Sequence, residues 1–340
     1  MKTAVLICPG RGSYTKAELG SLARFPDPAL LARFDARRQA EGQETLSALD
    51  GAATYSVARH TRGDNASALI YACSLGDAMA LRGVKLVAVT GNSMGWYSAL
   101  ACAGALSPEA GFEVVNTMGR LMQEHLIGGQ LIYPFMGPDW TAAPARKAEL
   151  LALAYNINAQ PGHQLGLSID LGGMLVLAGN AAGLATFEAA VPPLEGRFPM
   201  RLANHAAFHT ALQAPVAALG RKALPDTLFT RPDLPLIDGR GHVWWPGAAT
   251  AEGLHGYTLG HQVTQPYDFT AAIRTAAREF APDLFIIAGP GSTLGGAVAQ
   301  SLILANWKGM ASKADFQTRQ ATDPLVISMG LADQRARVAG

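Results

Sequence analysis

Along the chain, short unbroken apolar runs alternate with longer segments in which apolar residues recur at helical spacing. TAVLIC (3–8), VKLVAVT (84–90) and DLFIIAG (283–289) are continuous apolar stretches, the pattern of strands covered on both faces of a parallel sheet. Between them, 27–50, 65–82, 95–104, 109–126 and 292–304 read as helices. Asp64 or Asn65 is placed to cap the second of these, and Ser107 followed by Pro108 to open the fourth. The pattern changes at Gly128-Gly129. QLIYPFMG (130–137) and GMLVLAG (173–179) are strand-like and GLATFEAAV (183–191) is helix-like, which predicts a small α+β insert over 128–199. The main alternation resumes near residue 200, so 1–127 and 200–304 form one α/β domain with a parallel central sheet. The stretch 305–340 reads as a C-terminal extension holding one strand-like run, LVIS.

The strand at 84–90 stops at Gly91-Asn92-Ser93-Met94-Gly95 and a helix of small residues follows. A strand, Gly-x-Ser-x-Gly and a helix make a nucleophile elbow. The serine sits on a tight turn that lifts its hydroxyl clear of the sheet. The flanking glycines avoid a Cβ where backbones approach closely. The helix N-terminus points unpaired N–H groups at the reacting carbonyl. A serine hydroxyl needs a base to take its proton, and His209, in LANHAAFHTALQAP, is the best placed of the eight histidines, with His205 as its rival. The sequence reads His209 as standing at the start of a helix that ends near Pro215.

Composition narrows the function classes. A net charge of +1 with 16% charged residues supplies no electrostatic reason for a nucleic-acid or anionic-membrane partner. Three cysteines, Cys8, Cys73 and Cys102, stand in apolar surroundings without CxxC spacing, which argues for buried thiols over a disulfide framework or a metal site. The N-terminal apolar run is too short for a signal segment or a membrane span, so a cytoplasmic protein is expected.

Several motifs in order resemble those of the malonyl-CoA:acyl carrier protein transacylases and the acyltransferase domains of fatty acid and polyketide synthases. They are PGRGSY (9–14), GNSMGWYSALACAGAL (91–106), GRLMQE (119–124), AFHTALQAP (207–215) and IAGPGSTL (287–294). The resemblance spans roughly 3–304. It implies an α/β-hydrolase-like large domain with a ferredoxin-like insert, and transfer of an acyl group from coenzyme A to a carrier-protein thiol. It implies Ser93 as acyl-accepting nucleophile, His209 as its base, and the backbone N–H groups of Arg11 and Met94 as the oxyanion hole. It implies no metal and no cofactor beyond the coenzyme A thioester that is the substrate. The family orients its histidine by backbone carbonyls near an Asn-Pro-Val turn. Here that place reads Gln265-Pro266-Tyr267-Asp268, and Asp268 is the residue expected to orient the ring, by main chain or side chain.

The chain departs from the family around the substrate. Met118 stands where malonyl-selective members place a carboxylate-binding arginine, and a thioether gives a carboxylate neither charge nor bidentate geometry. Asn92, Trp96 and Tyr14 also replace the family's usual residues. Met118, Asn92 and Phe208 are the expected substrate-contacting side chains. Three readings stay open: a neutral acyl group in a methionine-lined pocket, Arg11 as a replacement cation, or hydrolysis of the acyl thioester by the same serine and histidine.

Overall fold

The structure is a computed structural model that describes residues 1–339. Eleven strands form two sheets: β1 Lys2–Cys8, β2 Val84–Gly91, β3 Gly129–Pro134, β4 Leu165–Leu171, β5 Met174–Gly179, β6 Met200–Arg201, β7 Leu236–Ile237, β8 Val243–Trp244, β9 Tyr267–Asp268, β10 Leu284–Ile287 and β11 Val326–Ser328. The large sheet runs β11-β10-β1-β2-β7-β8 and is parallel except for the β7–β8 edge pair. β1 and β10 are almost wholly buried, so their uninterrupted apolar sequences follow from helices covering both faces.

The second sheet runs β6-β3-β5-β4-β9. With the helices Pro144–Asn158 and Ala181–Ala190 between its strands, residues 129–201 follow the order β-α-β-β-α-β of a ferredoxin-like unit. The fifth strand, β9, comes from far along the chain and pairs in parallel with β4. Its continuation ties the sheet to the large unit: Thr270 Oγ1 accepts from the Gly172 N–H at 2.9 Å and donates to Asp170 Oδ1 at 2.7 Å. Gln300 Oε1 accepts from the Gly173 N–H at 3.0 Å. The orientation of the small sheet over the large one is therefore fixed by buried polar contacts.

Several expectations change. The segment 27–50 is two helices, Pro28–Ala40 and Leu46–Asp50. The helix Gly63–Ala80 starts two residues before Asn65, and neither Asp64 nor Asn65 caps it. Pro215 opens the helix Ala214–Ala223 rather than closing one, as its missing N–H favours. Ser107 does cap Pro108–Glu124, accepting from the Ala110 N–H at 3.1 Å. The stretch after 305 is joined to the large sheet, because LVIS supplies its edge strand β11 beside β10. Cys8 and Cys73 are buried and Cys102 is half-buried; none forms a disulfide. No helix among the described residues is long and apolar enough to cross a membrane, and none of their His, Cys, Asp and Glu side chains cluster as metal ligands.

Candidate active site

The turn after β2 is held by steric and hydrogen-bonding constraints that its sequence dictates. A Cβ on Gly91 would fall 2.2 Å from the Gly95 carbonyl oxygen, and one on Gly95 would fall 2.1 Å from that of Cys8. Only glycine allows β1, the turn and the helix Gly95–Cys102 to pack this closely. The Asn92 N–H donates to the Cys8 carbonyl at 2.9 Å, pinning the turn to the end of β1. Ser93 is left with φ of 55°, a left-handed conformation that costs a non-glycine residue energy and marks sites where geometry is over-determined by the surroundings. His209 has the same peculiarity, with φ of 58°.

These two residues meet. Ser93 Oγ lies 2.7 Å from His209 Nε2. The tautomer follows from the other ring nitrogen: His209 Nδ1 is 2.6 Å from the Gln262 carbonyl oxygen, which can only accept, so Nδ1 carries the proton. Nε2 therefore presents a lone pair to the serine hydroxyl. The ring is 3% exposed. Burial lowers the imidazole pKa from 6.5 to about 4, with the Gln262 carbonyl opposing the shift, so His209 is a neutral base at physiological pH.

Gln262 was not singled out by the sequence. Besides its carbonyl, its Nε2 donates to the Ser93 carbonyl at 3.0 Å and its Oε1 accepts from the Tyr97 hydroxyl at 3.2 Å. One residue thus braces both members of the pair. It follows the π-helical turn Tyr257–His261, and local π geometry is common at functional sites. The position expected to orient the histidine, Asp268, is elsewhere: its Oδ1 accepts from the Ala271 N–H at 2.7 Å and caps the helix Phe269–Phe280. A carboxylate before a helix is worth more as a cap than as a partner for a ring already held by a carbonyl. His205, the rival base, does not touch Ser93; its Nδ1 is 2.8 Å from Gln130 Oε1. Gln130 donates to Ser168, which donates to the Phe208 carbonyl at 2.8 Å, so this chain steadies the backbone just before His209.

Two cavities open from the serine. The smaller is lined by Met118, Met122, Phe208, Val263, Tyr97 and Arg11, and its free volume of about 20 Å³ admits roughly one or two water-sized groups. Met118 is 0% exposed, and a Cβ on the facing Gly220 would come 2.7 Å from its sulfur. The larger cavity, about 460 Å³, lies between the turn and the small sheet, with Asn92, Arg11, Ile132, Leu171, Val176 and Leu202 in its wall. Phe208 and Arg11 line both. Asn92 is 8% exposed and its Oδ1 has no hydrogen-bond partner among the described residues. The Arg11 and Met94 N–H groups likewise donate to no described residue, which leaves them free for a ligand oxygen. The arrangement contains what acyl chemistry needs: a strained serine, an oriented neutral base and free amide donors beside one cleft.

Fold and site together define an α/β protein with a serine–histidine pair at a nucleophile elbow. The fold is that of the malonyl-CoA:acyl carrier protein transacylases and the acyltransferase domains of polyketide synthases. The transacylase of Xanthomonas oryzae superposes with a TM-score of 0.76 over 100% of this chain and 99% of its own, at 19% identity. In sequence, the chain is 29% identical over 220 residues to the polyketide synthase GfsB of Streptomyces halstedii, covering 62% of this chain and 4% of that synthase. It is 26% identical over 222 residues to the malonyl CoA-acyl carrier protein transacylase of Haemophilus influenzae, covering 63% of this chain and 64% of that protein. The chain thus spans less than two thirds of the length of either sequence relative. No family model matches it.

Proposed function

We propose that this protein is an acyltransferase that moves an acyl group from coenzyme A to the phosphopantetheine thiol of an acyl carrier protein, through an ester on Ser93. The observation that carries the reading is the 2.7 Å contact between Ser93 Oγ and a histidine whose other nitrogen is committed to the Gln262 carbonyl.

The chemistry follows from that contact. Ser93 Oγ attacks the thioester carbonyl carbon while its proton passes to His209 Nε2. The carbonyl oxygen becomes an oxyanion, met by the N–H groups of Arg11 and Met94; a donor of this kind is typically worth about 3 kcal/mol. The carbon–sulfur bond breaks, and the thiolate leaves with the proton from the imidazolium. An acyl ester remains on Ser93. The carrier thiol then gives its proton to Nε2 and attacks the ester, and Ser93 takes the proton back as the new thioester departs. Fixing His209 by a carbonyl rather than a carboxylate leaves the imidazolium less stabilised. It also keeps the base neutral in a buried site. The transacylase fold and the sequence likeness to proteins that handle carrier-bound acyl groups support a thiol, rather than water, as acceptor.

A chase experiment tests the acceptor. The isolated, radiolabelled acyl-enzyme is mixed with a phosphopantetheinylated carrier protein, and label is followed on the carrier and in free acid. Transfer to the carrier should outrun release by at least about tenfold. Free acid forming as fast without the carrier as with it would make the protein a thioester hydrolase instead.

A further inference from the structure

We propose that the acyl group is a neutral chain of medium length that lies in the larger cavity, that it bears a hydroxyl near its thioester end, and that His205 reads this hydroxyl. The proposal rests on the acyl-transfer reading above and places the chain away from the pocket beside Met118.

The path of each part of the substrate follows from where His209 stands. The departing sulfur takes its proton from His209 Nε2, so the coenzyme A arm must run past that ring. His209 is in the wall of the small pocket and of a third opening, about 430 Å³, with Thr210, Thr264 and Gln265 around it. It is not in the wall of the larger cavity, which meets Ser93 on the side of Gly10, Arg11 and Asn92. That cavity is left for the acyl chain. The pocket beside Met118 has room for roughly one or two heavy atoms, whereas the larger cavity has room for roughly ten or more methylene-sized groups. Its wall is largely apolar, with Ile169, Leu171, Met174 and Val176 from the small sheet and Leu294 and Ala297 from the large unit. The two cations in the wall are already engaged. Arg11 donates to the carbonyls of Thr61 and Asn204, each at 2.8 Å, and Arg197 pairs with Glu195 at 3.1 Å.

In this apolar wall His205 presents a free lone pair, and a chain of hydrogen bonds fixes its tautomer. The Phe208 carbonyl can only accept, so the Ser168 hydroxyl proton points at it. Ser168 Oγ therefore accepts from Gln130 Nε2 at 2.6 Å, and Gln130 turns its Oε1 to His205 Nδ1, which must carry the proton. Nε2 is left as an acceptor, without a partner among the described residues and not sealed from open space. Burial, and then the charge of Arg11, hold the ring well below its ordinary pKa, so the lone pair persists at neutral pH. The Asn92 Oδ1 in the same wall is unpartnered too. A plain alkyl chain would strip water from the imidazole and leave it unpaired, a loss larger than the net gain of an ordinary hydrogen bond. A hydroxyl can donate to His205, whereas a carboxylate would set lone pair against lone pair. Asn92 is the chain neighbour of Ser93, so the hydroxyl belongs within the first few carbons. The substrate class is a medium-chain hydroxyacyl thioester. Shorter thioesters still acylate Ser93, because the catalytic pair does not depend on the tail, and the cavity sets the preference.

Acetyl-CoA, octanoyl-CoA and 3-hydroxyoctanoyl-CoA are suited to the test, because the first two differ in chain length and the last two in a single oxygen. Calorimetry on the Ser93→Ala protein reads binding without chemistry. Octanoyl-CoA should bind at least about tenfold more tightly than acetyl-CoA. One enantiomer of 3-hydroxyoctanoyl-CoA should bind about five- to thirtyfold more tightly again. Adding His205→Leu should bring the hydroxylated and plain chains to within about twofold of each other, while His205→Gln, which keeps an acceptor, retains part of the difference. Met174→Trp, which narrows the cavity, should cut the advantage of octanoyl over acetyl by about tenfold. Equal binding of octanoyl-CoA and acetyl-CoA, no gain from the hydroxyl in either enantiomer, or an equal loss of both eight-carbon ligands in His205→Leu and His205→Gln overturns the assignment. Acylation of the Ser93 protein by the same ligands separates the two layers. Ester formation without a preference among them removes only the roles of the cavity and His205. A preference in binding without any ester removes the transfer reading and keeps the hydroxyacyl site.

Discussion

In the proposed reaction the pair Ser93–His209 depends on a proton that the Gln262 carbonyl holds on the far ring nitrogen. Replacing His209 with Ala removes the base, and acylation should slow by about two to four orders of magnitude in a single-turnover assay. The pH dependence has a defined sign. The ring titrates near 4 in the folded protein against 6.5 when exposed, so the acylation rate should stay level from pH 8 to pH 6 and reach half its plateau near pH 4. The same shift destabilises the fold in acid. Between pH 6.5 and about 4 the unfolded chain binds a proton that the buried imidazole does not, so stability falls as pH falls through that window. At this scale, Ser93 and His209 could be read from the chain because each sits in a local motif whose pattern needs that side chain. Gln262 could not, since it acts largely through a carbonyl that every residue has. Asp268 misled for the complementary reason: a carboxylate near the right place in sequence was already used as a helix cap.

The elbow depends on three elements meeting within one peptide's width. Gly95→Ala forces a methyl group to within 2.1 Å of the Cys8 carbonyl and 2.8 Å of the Pro9 carbonyl. Backbone cannot yield as a side chain can, so the variant should lose about 3 kcal/mol in chemical denaturation or fail to accumulate as folded protein. The long parallel strands and the helices after them were legible, because a strand buried on both faces writes a continuous apolar run. The two-residue strands β6, β7, β8 and β9 were not, since two residues carry no periodicity and their pairing is decided by partners distant in the chain. The helix Gly63–Ala80 shows how packing overrides local signals: nearly all of it is buried, Gly63 packs closely on Gly119, and its first N–H donates to Gln123 Oε1 at 2.7 Å, a side chain about sixty residues away rather than a neighbouring cap.

Across the whole molecule, the segment after 305 is part of the fold that supports the site. The helix Ala332–Arg335 brings Arg335 onto Asp77 of the helix Gly63–Ala80. The same carboxylate accepts from the Gly289 N–H at 2.6 Å, at the end of β10. Burial raises the Asp77 pKa above 3.8, opposed chiefly by Arg335. Arg335→Ala should therefore cost about 3 kcal/mol at neutral pH. The loss should shrink in acid: removing the cation raises the folded pKa further, the native state then binds a proton that the unfolded chain lacks, and stability declines as pH rises above 3.8. Denaturation of this variant and its parent at pH 5 and pH 7.5 compares the two. The sequence hinted at this strand in LVIS but gave no reason to join a polar tail to a helix more than two hundred residues earlier.

Everything functional turns on an ester forming at position 93. Intact-protein mass after brief mixing with malonyl-CoA, and in parallel with acetyl-CoA, measures it directly. The account predicts a single acyl mass on the parent protein, none on Ser93→Ala, and a trace on His209→Ala. The same adduct on Ser93→Ala, or none on the folded parent with either thioester, would contradict it.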